Sequence, residues 1–211
     1  MSENLRSILF AAAMGVASAA LLTGANVMLR DYQHRNEEAE RWRNVLDVLG
    51  VAYDAGASSE QLVRLAQEKV RERKVAGLVV YEYDHPAEGR LRAFEFSGQG
   101  LWGPIYGLLC LRADLATIYS ISFYKQEETP GLGGEIQSPA FRGRFPGKRI
   151  VGEAGGPGLR VVRGEAAGPN EVRGISGATL TGEKVQAMLN RISEEIIQKR
   201  DIILREDGHG Q

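Results

Sequence analysis

The chain has 211 residues and a formal net charge of −1 at pH 7, with 26 Lys and Arg against 27 Asp and Glu. That length allows one domain of ordinary size plus an appendage, and the charge balance offers no basic footprint for nucleic acid. Cys110 is the single cysteine, which excludes an intramolecular disulfide and an iron–sulfur cluster held by this chain alone. Lying in the apolar run IYGLLCL (105–111), it reads as a buried, inert thiol. His34, His85 and His209 are scattered without the spacing of a shared metal, and no metal site is read.

The first element is the uncharged stretch 8–29, ILFAAAMGVASAALLTGANVML, preceded by the short tail 1–7. As a helix it spans about 33 Å, against about 30 Å of bilayer hydrocarbon. Ser18, Thr23, Gly24 and Asn26 are small or polar types of the kind used where helices meet in membranes. A cleaved signal peptide with a site near 17–19 is the competing reading; the stretch is longer than a signal h-region of about 7–15 residues, which favours a retained anchor. In LLTGA (21–25), Ala25 stands where a lipid-bearing cysteine is required, so lipidation there is excluded. Arg6 precedes the span, whereas Arg30, Arg35, Arg41 and Arg43 follow it, a count that by itself favours a cytoplasmic domain.

Residues 30–57 read as a helical connector, with Trp42, Val45, Leu46 and Leu49 at helical spacing and Gly50 as the stop. A capping box at Ser58 opens a second helix with Leu62, Leu65, Ala66 and Val70 inward and its Arg and Glu residues solvated. From Val75 the period changes to strands: VAGLVVYEYD, LRAFEF, YGLLCLR and TIYSISFYKQ, interrupted at 87–89, 97–100 and 112–115. They predict a largely antiparallel sheet. Gly- and Pro-rich sequence over 130–158 reads as a long functional loop, and 159–162 adds a strand. The last helix begins near Thr181, with Val185, Met188, Leu189, Ile192, Ile196 and Ile197 on one face, and 206–211 is a tail. The fold class is therefore α+β, a mainly antiparallel sheet flanked by helices over 58–205, behind one N-terminal transmembrane helix.

Two segments carry chemistry. In ISGATLTG (175–182), Thr179 or Thr181 suits an N-cap and Glu183 the first helical turn. A helix entrance preceded by Gly and Ala also presents backbone amides to an anion, phosphate above all. In EETPGLGGEI (127–136), Pro130-Gly131 suits a type II turn, while Gly133 and Gly134 allow close approach of a flat partner. A plain hairpin connection is the simpler reading of that segment. No nucleophile–base pair and no dinucleotide-binding glycine fingerprint is present, so no catalytic residue is assigned.

Together, ETPGLGGEI and ISGATLTG, about fifty residues apart, resemble the FMN-binding domain of the NqrC family, the flavin-carrying subunits of the sodium-translocating NADH:quinone oxidoreductase, with RnfG of the Rnf complex as the nearest cousin. RWRNVLDVLGV (41–51), GQGLWGPIYG (98–107), FRGRFPGK (141–148) and GLRVVRG (158–164) extend the likeness, and GGEI with FRGRFPGK favours the sodium-pump family. The resemblance implies FMN esterified through its phosphate to Thr179 by a separate flavin transferase. It implies Ser176, Gly177, Ala178, Leu180 and Thr181 around that phosphate. Glu128, Thr129, Pro130, Gly131, Leu132 and Gly133 then run along the isoalloxazine, with Trp102 as a wall. It further implies electron relay beside other subunits of a bacterial inner-membrane respiratory complex, with NADH oxidised elsewhere and the domain on the periplasmic face. One departure stands out: Arg173 occupies the position, three residues before Ser176, where the family's flavinylation signal has aspartate. Two other readings follow from the same residues: an anchored FMN-binding or assembly protein with non-covalent flavin, and a tethered domain in which SGAT is only a cap and PGLGG only a turn.

Overall fold

The computed structural model describes residues 3–205, without the side chains at 3, 5 and 25–35. The expected tail 206–211, His209, and the side chains of Asn26, Arg30, His34 and Arg35 lie outside the described residues. Helix α1 runs from Glu3 to Leu49 without interruption. Its first part, Arg6–Gly24, has a mean hydropathy of 1.8 and is 0% buried, making it long and apolar enough to cross a membrane. Its last three turns instead bury Trp42, Val45, Leu46, Val48 and Leu49 against the sheet. The helix closes as expected before Gly50: the amides of Gly50 and Val51 donate to the carbonyls of Asp47 and Leu46, the paired bonds of a Schellman end.

Helix α2, Ser59–Lys69, opens with the expected capping box. Ser58 Oγ accepts from the Gln61 amide at 3.3 Å, and the Ser58 amide donates to Gln61 Oε1 at 2.8 Å. Five strands follow, β1 Arg71–Val75, β2 Leu78–His85, β3 Gly89–Gln99, β4 Pro104–Leu111 and β5 Ile118–Lys125, in a sheet of sequential order with each pair antiparallel. The α+β, antiparallel expectation is borne out. Two details differ. Strand β1 lies where only solvated helix was expected, because RERKV is a charged edge strand whose side chains guard the open edge. Strand β3 continues through Ser97 and Gly98 to Gln99, paired with β4, where a break was expected.

Period-2 alternation sorts the sheet's side chains into two cores. Tyr81, Leu91, Ala93, Leu108 and Cys110 face α1 and α2. Val80, Phe94, Phe96, Leu109, Ile121 and Phe123 face the opposite layer. That second layer contains α4, Thr179–Gln198, which buries Val185, Met188, Leu189, Ile192 and Ile196 but leaves Ile197 half-buried. It also contains the segment expected to be a loop. A 3₁₀ turn at Gly133–Gln137 and helix α3, Pro139–Arg142, bring Ile136 and Phe141 into the core, followed by Phe145 and Ile150. Residues 130–158 are therefore a packed layer, and the hairpin reading of PGLGG is corrected. Short strands β6, Arg160–Val162, and β7, Glu171–Arg173, pair in parallel and lead into α4; β7 was not anticipated. Helix α5, Arg200–Arg205, ends the described chain.

Candidate functional site

The ETPGLGG segment leaves β5 and turns at once. Leu132 donates to the Thr129 carbonyl at 3.1 Å and Gly131 has φ of 74°. This is the geometry of a type II turn with proline at its second position and glycine at its third. Gln126 braces the turn: its Oε1 accepts from the Glu128 amide, and its amide group donates to Gln137 Oε1 at 3.2 Å. Pro130 and Gly131 stand exposed at the tip, while Glu128 and Gly133 are buried.

The opposite wall is the start of α4. Its N-cap is Ala178, which makes no side-chain capping bond. The expected threonine cap is therefore corrected, and Glu183 falls one position beyond the first turn. Alanine in place of a capping residue costs a helix about 1 kcal/mol. The first-turn amides at 179–181 have no carbonyl one turn back to accept them, so an acceptor from outside the helix suits them. Thr181 uses its hydroxyl elsewhere, donating to Glu128 Oε2 at 2.6 Å.

Two cavities meet at this helix entrance. One, of about 350 Å³, is lined by Leu101 and Trp102, by Glu128, Thr129, Leu132 and Gly133, and by residues 177–181. Its rim is apolar and open: Trp102 is 69% exposed, Leu180 55% and Leu132 45%. The other, of about 490 Å³, is lined by Arg144, Arg163 and Arg173, Val161 and Val162, residues 174–179, Gly182 and Glu183. Both volumes fall within the range of ligand clefts. Gly177, Ala178 and Thr179 line both, so Thr179 sits on the ridge between an apolar cleft and a basic one.

Most of the expected site residues thus come together. Trp102, Glu128, Thr129, Leu132, Gly133, Gly177, Ala178, Thr179, Leu180 and Thr181 share the apolar cavity, while Ser176 lines the basic one. Pro130 and Gly131 line neither and serve by shaping the turn. The close-approach reading of Gly133 changes sense, because a Cβ there lies 2.6 Å from Thr181 Oγ1 and 2.7 Å from Glu128 Oε2. Its missing side chain makes room for protein, and so does that of Gly134, which faces the Thr129 carbonyl at 3.2 Å.

Sequence reading did not single out Arg144 or Arg163. Arg144 donates through Nη1 to the carbonyls of Arg173 and Gly174 at 2.8 and 2.7 Å, and through Nε to the Ala140 carbonyl at 3.0 Å. It fastens FRGRFPGK to the approach to α4 while adding positive charge to the basic cavity. Arg173, exposed, lines the same cavity. Among the described residues no group of three or more His, Cys, Asp or Glu is placed to hold a metal.

Residues 100–194 match the FMN-binding domain family. Over those residues the chain is similar to an FMN-binding domain. Its match spans both cavity walls, from the turn before β4 to the far end of α4. The chain is similar to NqrC of the Na⁺-translocating NADH-quinone reductase from Yersinia pestis, 43% identical over 95 residues, covering 44% of this chain and 36% of that protein. The Vibrio anguillarum NqrC is 36% identical over 152 residues, covering 68% and 59%. That of Pasteurella multocida is 27% identical over 217 residues, covering 82% and 83%. The chain thus spans less than two thirds of the length of the Yersinia and Vibrio relatives. Among solved structures, the corresponding reductase subunit from Parabacteroides distasonis superposes with a TM-score of 0.68 at 29% identity, covering 80% of this chain and 96% of that one. The Shewanella oneidensis NqrC shares the fold, with a TM-score of 0.60 at 21% identity, covering 77% and 99%. The likeness read from the paired motifs is borne out.

The residues around the two cavities fit FMN. An uncapped helix start and three arginines suit a phosphate, and the adjoining apolar cleft suits a flat ring.

Proposed function

We propose that this chain is a membrane-anchored flavoprotein component of a sodium-translocating NADH:quinone oxidoreductase, holding FMN by a phosphoester to Thr179. The observation that carries the reading is the position of Thr179 on the ridge between the basic and apolar cavities. With a flavin tethered there, the amides of α4 would hold its phosphate, and Trp102, Leu132 and Leu180 would flank its ring. When bound, FMN supplies one- and two-electron redox chemistry. The protein's own residues bind and orient. Arg144, Arg163 and Arg173 offset phosphate charge at the dipole's positive end. Leu101, Trp102, Leu132 and Leu180 exclude water from the ring while leaving one side open to a partner.

The same reading makes residues 8–29 a single-pass anchor in the bacterial inner membrane, with the flavin domain on the periplasmic face, where a flavin transferase loads it. Its partners are the other subunits of the respiratory complex, among them the one that oxidises NADH. What supports this is the complex to which the similar proteins belong and the 0% burial of the apolar helix.

A second reading, non-covalent FMN in a related carrier or assembly protein, is favoured by Arg173, whose cation replaces the expected aspartate beside the phosphate cavity. One experiment separates them. The full chain is expressed with its transferase and run on a denaturing gel under ultraviolet light. Covalent attachment predicts fluorescence that Thr179→Ala abolishes and Thr181→Ala retains. Native flavin binding without gel fluorescence supports the non-covalent reading, and Arg173→Asp then restores the fluorescent band.

A further inference from the structure

Glu128 is 4% exposed, yet its carboxylate reaches two other segments of the chain. Oε1 accepts from the amides of Leu101 at 2.8 Å and Trp102 at 3.1 Å. Oε2 accepts from Thr181 Oγ1 at 2.6 Å, and Thr181 is itself 2% exposed. The carboxylate therefore ties the turn before β4 to the first turn of α4 across the ETPGLGG loop. Two glycines give it clearance. A Cβ on Gly100 lies 2.5 Å from Oε1, and one on Gly133 lies 2.7 Å from Oε2. Neither distance is tolerated by real Cβ atoms, so these positions are small because the carboxylate occupies the space.

We infer that Glu128 is a positioning residue: a clasp that fixes the backbone under Trp102 against α4 and so sets the width of the apolar cleft. Its oxygens are turned inward to protein donors, so it serves the cleft by shaping it and not as a ligand. Trp102 is 69% exposed, and its backbone amide is the point by which the wall is held. The consequence for the ring bound in that cleft rests on the FMN reading; the clasp itself does not. Loss of the carboxylate leaves two amides and a hydroxyl unpaired in a buried place, and the turn carrying Trp102 then relaxes away from α4.

The test is made on the full chain in detergent, carrying Trp42→Phe so that Trp102 alone emits. Anisotropy decay of flavin-free protein reports how freely the indole moves. Glu128→Ala is expected to increase the amplitude of the fast component. Glu128→Gln is expected to restore it, because the amide oxygen still accepts from Leu101 and Trp102 while the Thr181 hydroxyl turns to accept from the amide nitrogen. Thr181→Val, which keeps the size and removes one donor, gives a smaller increase. Combined with Glu128→Ala it adds nothing, since both remove the same bond. Equal decays in all variants overturn the proposal, as does full additivity of Glu128→Ala and Thr181→Val. In flavin-loaded protein, Glu128→Ala is expected to keep the flavin on Thr179 while shifting its visible absorption and lowering its polarisation. Loss of the flavin itself in Thr181→Val contradicts the cleft's assigned part in the FMN reading and leaves the anisotropy result standing.

Discussion

The two cavities that share Thr179 are built by opposite means. The basic one gathers three arginines around exposed backbone: the approach to α4 is pinned by Arg144 through the carbonyls of Arg173 and Gly174, and the helix starts after Ala178 without a side-chain cap. The apolar one is walled by the side chains of Leu101, Trp102, Leu132 and Leu180, with the turn carrying Leu101 and Trp102 bound from beneath by Glu128. Charge gathers on one side of the ridge and is turned inward on the other. A ligand with a charged end and a flat apolar end finds each end provided for, and a threonine hydroxyl at the division.

That division is broken most severely on the basic side. Arg144→Ala removes three charge-assisted bonds to carbonyls, two of them to the approach to α4, and is expected to lower stability by about 2–3 kcal/mol, read as a fall in the urea midpoint with an unchanged slope. An unaltered midpoint contradicts the pinning of the loop by Arg144. On the apolar side, Leu180→Ser changes a wall that is already 55% exposed. Its effect on stability is expected to stay within about 0.5 kcal/mol, while the absorption of bound flavin shifts. A large loss of stability there instead means that Leu180 belongs to the core and not to the cleft.

The smallest effect lies away from both cavities and serves as their control. Burial pushes the Cys110 thiol well above its ordinary value, partly offset by a hydrogen bond with Ser120. A folded-state pKa raised above the unfolded one gives stability that is fully present below about pH 8.5 and is lost progressively as pH rises toward the folded value. Cys110 is accordingly expected to resist a thiol reagent in the folded protein, to react on unfolding, and, in Cys110→Ala, to flatten the alkaline fall in stability. Rapid labelling of the folded chain contradicts its place in the core.

How much of this was legible in the sequence follows from where each signal resides. Strands β2 to β5 were readable because alternating apolar runs fill two cores, and the Ser58 box and the Pro130-Gly131 turn because each is set by a few adjacent residues. Strand β1 was hidden, since an edge strand of Arg71, Glu72, Arg73 and Lys74 has no apolar face to show. The paired motifs mark residues that line the two cavities, but not what each does there. Gly133 reads as room for a ligand until the Glu128 carboxylate is seen filling that space. Thr181 reads as a cap until its hydroxyl is found on Glu128. Arg144 carries no local signature of that role, because the two carbonyls it pins before α4 are 29 and 30 residues away in the chain.

Mass spectrometry of the native, transferase-matured protein shows whether Thr179 tethers the flavin where the two cavities meet. Trypsin cleavage after Arg173 and Lys184 releases the peptide GISGATLTGEK, which contains Ser176, Thr179 and Thr181 together. This peptide is expected to carry an added mass equal to FMN less one water, placed by fragmentation on Thr179. An adduct on Ser176 or Thr181, or an unmodified peptide from protein that is fully loaded with flavin, would contradict it.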